Sequence, residues 1–156
     1  MRWSDLETQQ CAVARAESVL GDRWTMMVVR DCLLGVRRFE DFQSRLGIAR
    51  RVLTERLNML VEKGVLRREA YSQRPLREEY RLTEAGRDLM PVILALSTWA
   101  DRHLPHPDGT AVTYRHTECN KVIEPRIDCP QCASPLTTRN TRAVVRGSVS
   151  EQEQKS

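Results

Sequence analysis

The chain is expected to fold as a mainly α winged helix-turn-helix carrying a further C-terminal helix and a small cysteine-bearing appendage. Three observations predict this. Residues 50–63 (RRVLTERLNMLVEK) wind into an amphipathic helix after a glycine break, two short strand-like runs around an arginine-flanked turn follow at once, and basic side chains concentrate in the same stretch.

Residues 11–20, followed by residues 23–34, open the fold. The second segment holds Met26, Met27, Val28, Val29, Leu33 and Leu34, apolar almost all round, which predicts the buried centre of the domain. Residues 39–46 (FEDFQSRL) then place Phe39, Phe42 and Leu46 at spacings of three and four, and Leu46-Gly47-Ile48 breaks the helix. Wound at about 100° per residue, residues 50–63 gather Leu53, Leu57, Leu60 and Val61 on one face. Arg51, Thr54, Glu55, Asn58 and Glu62 fall opposite. A helix that packs inward and also enters a major groove needs short or forked polar groups outward near its N-terminus, and this one has them. The helices alone fit an ordinary amphipathic hairpin with a solvated face equally well.

The next residues decide between the two. Gly64 ends the helix, residues 65–71 alternate in part as a strand, Ser72-Gln73-Arg74-Pro75 supplies turn residues, and residues 78–82 return as the partner strand. A hairpin placed directly after such a helix is a wing. Between residues 37 and 77 there are 11 basic side chains against 5 acidic ones, an excess of +6, whereas the whole chain is only +4. A surface of this kind releases counterions from phosphates, a term that supplies much of the affinity for duplex DNA. The pattern assigns Arg51, Thr54, Glu55 and Asn58 to base edges and Arg37, Arg38 and Arg50 to phosphates. Arg67, Arg68, Arg74 and Arg77 of the wing would grip the flanking backbone or minor groove. Arg56 lies at the border of the apolar face, placed either to pin the helix or to reach a phosphate.

After the wing, Thr83 and Glu84 open a helix running to about Leu104. Leu89, Val92, Ile93, Leu96, Trp99 and Ala100 line one side of it, and Pro91 marks a kink or a restart. This surplus of apolar surface is expected to form a two-fold dimerisation interface, the alternative being an intramolecular core.

From Cys11 to His103 the chain resembles the HxlR-type transcriptional regulators, relatives of the MarR group. The resemblance is carried by Gly21-Asp22-Arg23-Trp24, Arg37-Arg38-Phe39, Leu53-Thr54-Glu55-Arg56-Leu57 and the run Tyr80-Arg81-Leu82-Thr83-Glu84-Ala85-Gly86. It implies a homodimeric winged-helix repressor or activator of the prokaryotic cytoplasm, acting on a palindromic or near-palindromic operator. Where many members place a serine cap, this chain has Ala49, a departure worth roughly 1 kcal/mol of local capping. Cys11 aligns with the N-terminal cysteine of the redox-sensing members, which makes it a candidate sensor of oxidants or electrophiles. Its place at a helix N-terminus with Arg15 one turn on favours the thiolate. A small-molecule effector would enter between the dimer helices near Trp24, Met27 and Trp99, residues that serve equally as core.

Of the five cysteines, Cys32 reads as a small core residue. Three others cluster with a histidine: His116-x2-Cys119, nine intervening residues, then Cys129-Pro130-Gln131-Cys132. Two turns that each present two donors suit a tetrahedral zinc ion, so His116, Cys119, Cys129 and Cys132 are expected to form a structural zinc ribbon, with His106 as an alternative ligand. A redox dithiol at Cys129 and Cys132, or thiols without metal, are the competing readings.

The expected organisation is a winged-helix domain with its dimerisation helices over residues 11–104, the ribbon-like appendage over 105–136, and a disordered tail over 137–156, where polar residues show no apolar period. There is no apolar run long enough to span a membrane and residues 1–10 are too polar for a signal peptide, which points to the cytoplasm. No nucleophile and base pair, paired carboxylates or phosphate loop suggests an enzyme. A winged-helix module that docks protein instead of DNA is the alternative, and the local +6 argues against it.

Overall fold

The computed structural model describes residues 5–144. Their elements run α1 (Ala12–Leu20), α2 (Arg23–Leu33), α3 (Phe39–Leu46), α4 (Arg50–Glu62), β1 (Leu66–Gln73), β2 (Leu76–Leu82), α5 (Glu84–Arg87), α6 (Met90–His103), β3 (Tyr114–His116) and β4 (Lys121–Ile123). The chain divides into two compact units between Ser97 and Thr98, inside α6 and ahead of the boundary expected at 104/105.

In the first unit, Val28, Val29, Phe42, Leu53, Leu57 and Leu60 are fully buried, with Cys32, Ile48, Val65 and Leu66 beside them. These are the inward positions that the helical periods select on α2, α3 and α4. Gly47 closes α3 at φ +60, a left-handed position where a side chain is strained. As its sequence requires, α4 starts at Ala49 without a side-chain cap. Asp22 caps α2, its Oδ1 accepting from Trp24 N at 2.9 Å. The same oxygen stands 3.5 Å from Arg56 Nε, so Arg56 pins α4 to the start of α2.

Two features of this unit carry no apolar signal. Asp31 is wholly buried on α2, paired with Arg30 at 2.7 Å and with Arg45 of α3 at 3.3 Å, which ties the two helices together. Gly86 lies against the root of the wing. A Cβ there would overlap the Val65 carbonyl oxygen and sit 2.9 Å from Leu82 Cδ2. Thr83 Oγ accepts from Gly86 N and donates to the Gly64 carbonyl at 2.6 Å, knotting α5 to the end of α4. The helix expected from Thr83 to about Leu104 is therefore two: α5 is one turn, and the chain restarts at Met90 with Pro91 in the first turn of α6, where its missing N–H costs nothing.

The wing is an antiparallel hairpin pairing Leu66 with Leu82, Arg68 with Tyr80 and Gln73 with Leu76, so that Arg74 and Pro75 form its tip. The register shifts between Ala70 and Ser72, a bulge at Tyr71 that the irregular alternation of residues 65–71 left unspecified.

In the second unit, β3 and β4 form one short hairpin and a bridge between Asp128 and Pro135 begins another. Residues 137–141, expected in the tail, make a hydrogen-bonded turn: Thr137 N donates to Asn140 Oδ1 at 2.7 Å and Asn140 Nδ2 to the Pro135 carbonyl at 2.9 Å. The remainder of the expected tail, residues 145–156, lies outside the described residues.

Candidate nucleic-acid interface

The burial of Leu53, Leu57 and Leu60 turns the opposite face of α4 outward, and Arg51, Thr54, Glu55 and Asn58 are all exposed there. Arg51 Nε donates to Glu55 Oε1 at 2.9 Å, and Thr54 Oγ donates to the Arg50 carbonyl at 2.9 Å. Both side chains are thus held along the helix. An exposed pair one turn apart contributes only about 0.3–0.5 kcal/mol, so both groups can exchange these contacts for others at small cost. Asn58 Oδ1 accepts from Arg68 Nη2 at 2.5 Å, which joins the middle of α4 to the base of the wing.

Three guanidiniums are held by ring faces. Arg50 lies over Phe39 at 4.6 Å, Arg38 over Tyr71 at 4.7 Å and Arg68 over Tyr80 at 6.0 Å. Stacking of this kind fixes the plane of the fork while leaving its N–H groups outward. Arg74 at the hairpin tip and Arg77 on β2 are exposed, and Arg77 shares a groove with Arg38 and Tyr71.

Arg37 and Arg67 stand apart from this set. The Arg37 carbonyl accepts from Tyr80 N at 2.8 Å, adding a third segment to the edge of the wing, and its side chain faces a cleft lined also by Arg67, Arg81 and Arg87. Arg67 pairs with Arg81 across the hairpin and is drawn to Glu69 at 3.2 Å. Alternation along β1 sends Arg67 and Arg68 to opposite faces, and it is Arg68 that meets α4. Neither Arg81 nor Arg87 stands out in the sequence, because both fall beyond the dense basic stretch.

Cys11 is exposed at the N-cap of α1. The backbone N–H groups of Ala14 and Val13 point toward its sulfur without closing a capping hydrogen bond. With Arg15 adding to them, they hold the thiol below its ordinary value. Cys32 behaves oppositely: burial, with Asp31 adjacent, pushes its thiol up to about 12.

The donor-bearing turns of the second unit repeat one another. His116 Nδ1 lies 3.4 Å from Cys119 Sγ, and Asn120, the next residue, has φ +56. Cys129 and Cys132 close a turn in which Ala133 N donates to the Cys129 carbonyl at 2.8 Å, and Ala133, again the next residue, also has φ +56. Hydrogen bonds from Ser134, with Cys129 beside it, hold the Cys132 thiol below its ordinary value. Three thiols and an imidazole are donors that zinc accepts. Among the described residues, however, no three His, Cys, Asp or Glu side chains are gathered around one point, so the four donors stand as two pairs. His106 joins neither pair; its Nδ1 accepts from Asp108 N at 3.2 Å. No described helix is long and apolar enough to cross a membrane.

Residues 19–108 match the family described as HxlR-like helix-turn-helix. The chain is 46% identical over 129 residues to the uncharacterized HTH-type transcriptional regulator Rv3095 of Mycobacterium tuberculosis, an alignment covering 83% of this chain and 82% of the relative. Among solved structures it is similar to PA1607, described as a candidate transcription factor, with a TM-score of 0.78 at 34% identity over 90% of this chain and 98% of that one. It is also similar to the reduced form of the redox regulator HypR, with a TM-score of 0.55 at 33% identity over 60% of this chain and 96% of that one. The likeness to PA1607 therefore extends into the second unit, whereas 60% coverage is no more than the length of the first.

Proposed function

The chain belongs to the HxlR-like helix-turn-helix family and is a transcriptional regulator of the HTH type; from that premise we propose that it acts as a homodimer on a palindromic operator. The observation that carries this reading is the outward face of α4, with Arg51, Thr54, Glu55 and Asn58 exposed beside a wing that ends in Arg74. The four α4 residues read base edges, Arg38 and Arg50 hold phosphates from their aromatic supports, and Arg74 and Arg77 follow the flanking backbone, with Arg68 held at the base of the wing by Asn58. Support for the dimer comes from α6. Ile93 is buried, yet Val92, Leu96 and Trp99 form an exposed stripe at spacings of four and three, between 42% and 56% accessible. A two-fold axis there would set two recognition helices about 34 Å apart, one turn of DNA.

Fluorescence anisotropy on the DNA upstream of the protein's own gene, with a scrambled duplex as control, tests the reading. Tight binding that requires the palindrome is expected. Equal weak binding to both duplexes would favour a module that docks protein.

Two attachments to this reading have their own supports. Cys11, exposed and held toward the thiolate, is the oxidant-responsive group, in keeping with the description of HypR as a redox regulator. Cys11→Ser is expected to bind operator as before and to lose its response to diamide; an unchanged response would remove Cys11 from the mechanism. The matched turns at His116/Cys119 and Cys129/Cys132 support a structural zinc in the second unit, for which the two pairs have to close on one ion.

A further inference from the structure

At the root of the wing, the loop after α2, the hairpin and α5 surround a cleft of about 210 Å³. Four arginines reach it from three places: Arg37 from the loop, Arg67 and Arg81 from the hairpin, and Arg87 from α5. Concentrating like charges in a concavity is unfavourable unless something balances them. Glu69 and Glu79 balance part. Glu69 lies 3.2 Å from both Arg67 and Arg81, and the nearly buried Glu79 lies 2.6 Å from Arg81. The other two guanidiniums have no carboxylate. Arg87 Nη1 donates only to the Leu82 carbonyl, at 3.1 Å, and the Arg37 side chain has no hydrogen-bond or ion-pair partner among the described residues. The cleft thus carries two exposed guanidiniums, from different elements, that no carboxylate occupies among the described residues.

We propose that this cleft binds a small dicarboxylate, one carboxylate taken by Arg37 and the other by Arg87, with Arg67 and Arg81 held at its side by Glu69 and Glu79. Each element of the cleft restricts the occupant. Sites for drug-sized ligands run to roughly 300–1,000 Å³, so a cleft of about 210 Å³ matches a smaller anion. Two guanidiniums carried by different elements suit a ligand with two planar anions, each of which one fork can grip in bidentate fashion. Cys32 lines the same cleft and stays a neutral thiol, because burial keeps it protonated. An occupant would tie the loop that leads into α3 to the wing and to α5. Arg38, the next residue, already stacks on Tyr71 of the wing, so the ligand would set how the wing stands beside α3.

Isothermal titration of the full chain, free of DNA, tests this with succinate as the probe. Butyrate, inorganic phosphate and sodium chloride at matched ionic strength serve as controls. Saturable binding of succinate is expected, at least tenfold tighter than butyrate or phosphate. Arg37→Gln with Arg87→Gln should weaken it tenfold or more, and Arg37→Lys with Arg87→Lys should restore part of the loss. Arg51→Gln, on the far side of α4, should leave it unchanged. Thermal melts of each variant establish that it is folded. Succinate binding no better than butyrate, phosphate binding as tight as succinate, or a folded double glutamine variant with the original affinity would each overturn the proposal. Because no DNA is present, these outcomes are independent of operator binding.

Discussion

Arg74→Gln separates a phosphate contact from a base contact and gives a number that the structure fixes in advance. Arg74 sits at the hairpin tip, exposed, between Gln73 and Leu76 of the terminal pair, and makes no ion pair among the described residues. Arg38, Arg50 and Arg77 are the other arginines of the interface that no carboxylate or amide occupies. Arg51 is engaged by Glu55 and Arg68 by Asn58. Four such charges per protomer give about eight phosphate contacts for a dimer, hence a slope of log K against log salt near −7, since each contact contributes about −0.9. Losing Arg74 from both protomers should flatten the slope by about 1.8, equally for operator and random duplex. Asn58→Ala should relax preference at one base pair without flattening the slope. The assay is anisotropy of labelled duplexes from 50 to 200 mM salt, a range over which six to ten contacts cost about 10³–10⁵ in affinity. Arg67→Gln is the decisive control, because Arg67 lines the cleft and is engaged by Glu69. The reasoning fails if Arg67→Gln flattens the slope as much as Arg74→Gln does, or if Arg74→Gln leaves it unchanged.

Three further outcomes follow from the packing and the thiols. Gly86→Ala drives a methyl into the Val65 carbonyl, which also accepts from Thr83 N at 3.1 Å; overpacking of this sort costs about 1–3 kcal/mol, a loss visible in urea denaturation, and a change within about 0.5 kcal/mol, the range of neutral surface substitutions, would contradict the close approach. The rate of Cys11 alkylation by iodoacetamide should inflect at a lower pH than an ordinary thiol, because the Ala14 and Val13 amides favour the thiolate, whereas Cys32 should stay unreactive until the protein unfolds. Metal analysis of the purified chain should find about one zinc per protomer, lost in Cys132→Ser, and cobalt substitution should give a thiolate charge-transfer band; a metal-free, folded chain with no cobalt band would assign the three thiols of the second unit no ligand role.

The fold was legible where packing follows periodicity. Leu53, Leu57 and Leu60 are buried because a helix brings every third and fourth residue to one side, and Phe42 meets them from α3 for the same reason. The wing was legible because Gly64 and the expected turn Ser72-Gln73-Arg74-Pro75 bound strand-like runs, although Ser72 and Gln73 belong to β1, β2 begins at Leu76 and only Arg74 and Pro75 form the tip. The apolar side of α6 was legible as a stripe, but its division into a buried Ile93 and exposed Val92, Leu96 and Trp99 was not, because such a stripe records that burial is wanted and not which partner supplies it. Pro91 signalled a kink or restart, but not that the first segment lasts a single turn, since Thr83-Glu84 is a good helix start whether the helix lasts one turn or five. Asp31 was invisible: a buried carboxylate is specified by the arginines of two helices, and only the fold brings Arg45 to Arg30. The placement of Arg37 and Arg67 at the cleft was not legible in the sequence for a similar reason. Local charge density counts arginines, whereas strand alternation and the position of Glu69 decide where each one points.

The Gly21-Asp22-Arg23-Trp24 run acquires a physical reason from these contacts. One carboxylate, Asp22, both starts α2 through Trp24 N and faces Arg56 in the middle of α4. Asp31 near the other end of α2 engages Arg45 of α3. Both helices of the helix-turn-helix are therefore referred to α2 by a charged contact, at opposite ends of its 11 residues. Apolar packing between helices tolerates small rotations, since Leu and Val contacts are not directional, whereas the charge contact between the capping carboxylate and the guanidinium, 3.5 Å apart and without a hydrogen bond, favours one position along the arc. The outward groups of α4 lie on the face away from Leu57, so a rotation of one residue's worth, about 100°, would exchange Asn58 for Leu57 at the surface. Arg56 is the residue next to Leu57, half-sheltered and held by Asp22. Replacing the pair by leucines would preserve burial and leave that rotation to packing alone, so the expected loss is of base discrimination before any loss of folding.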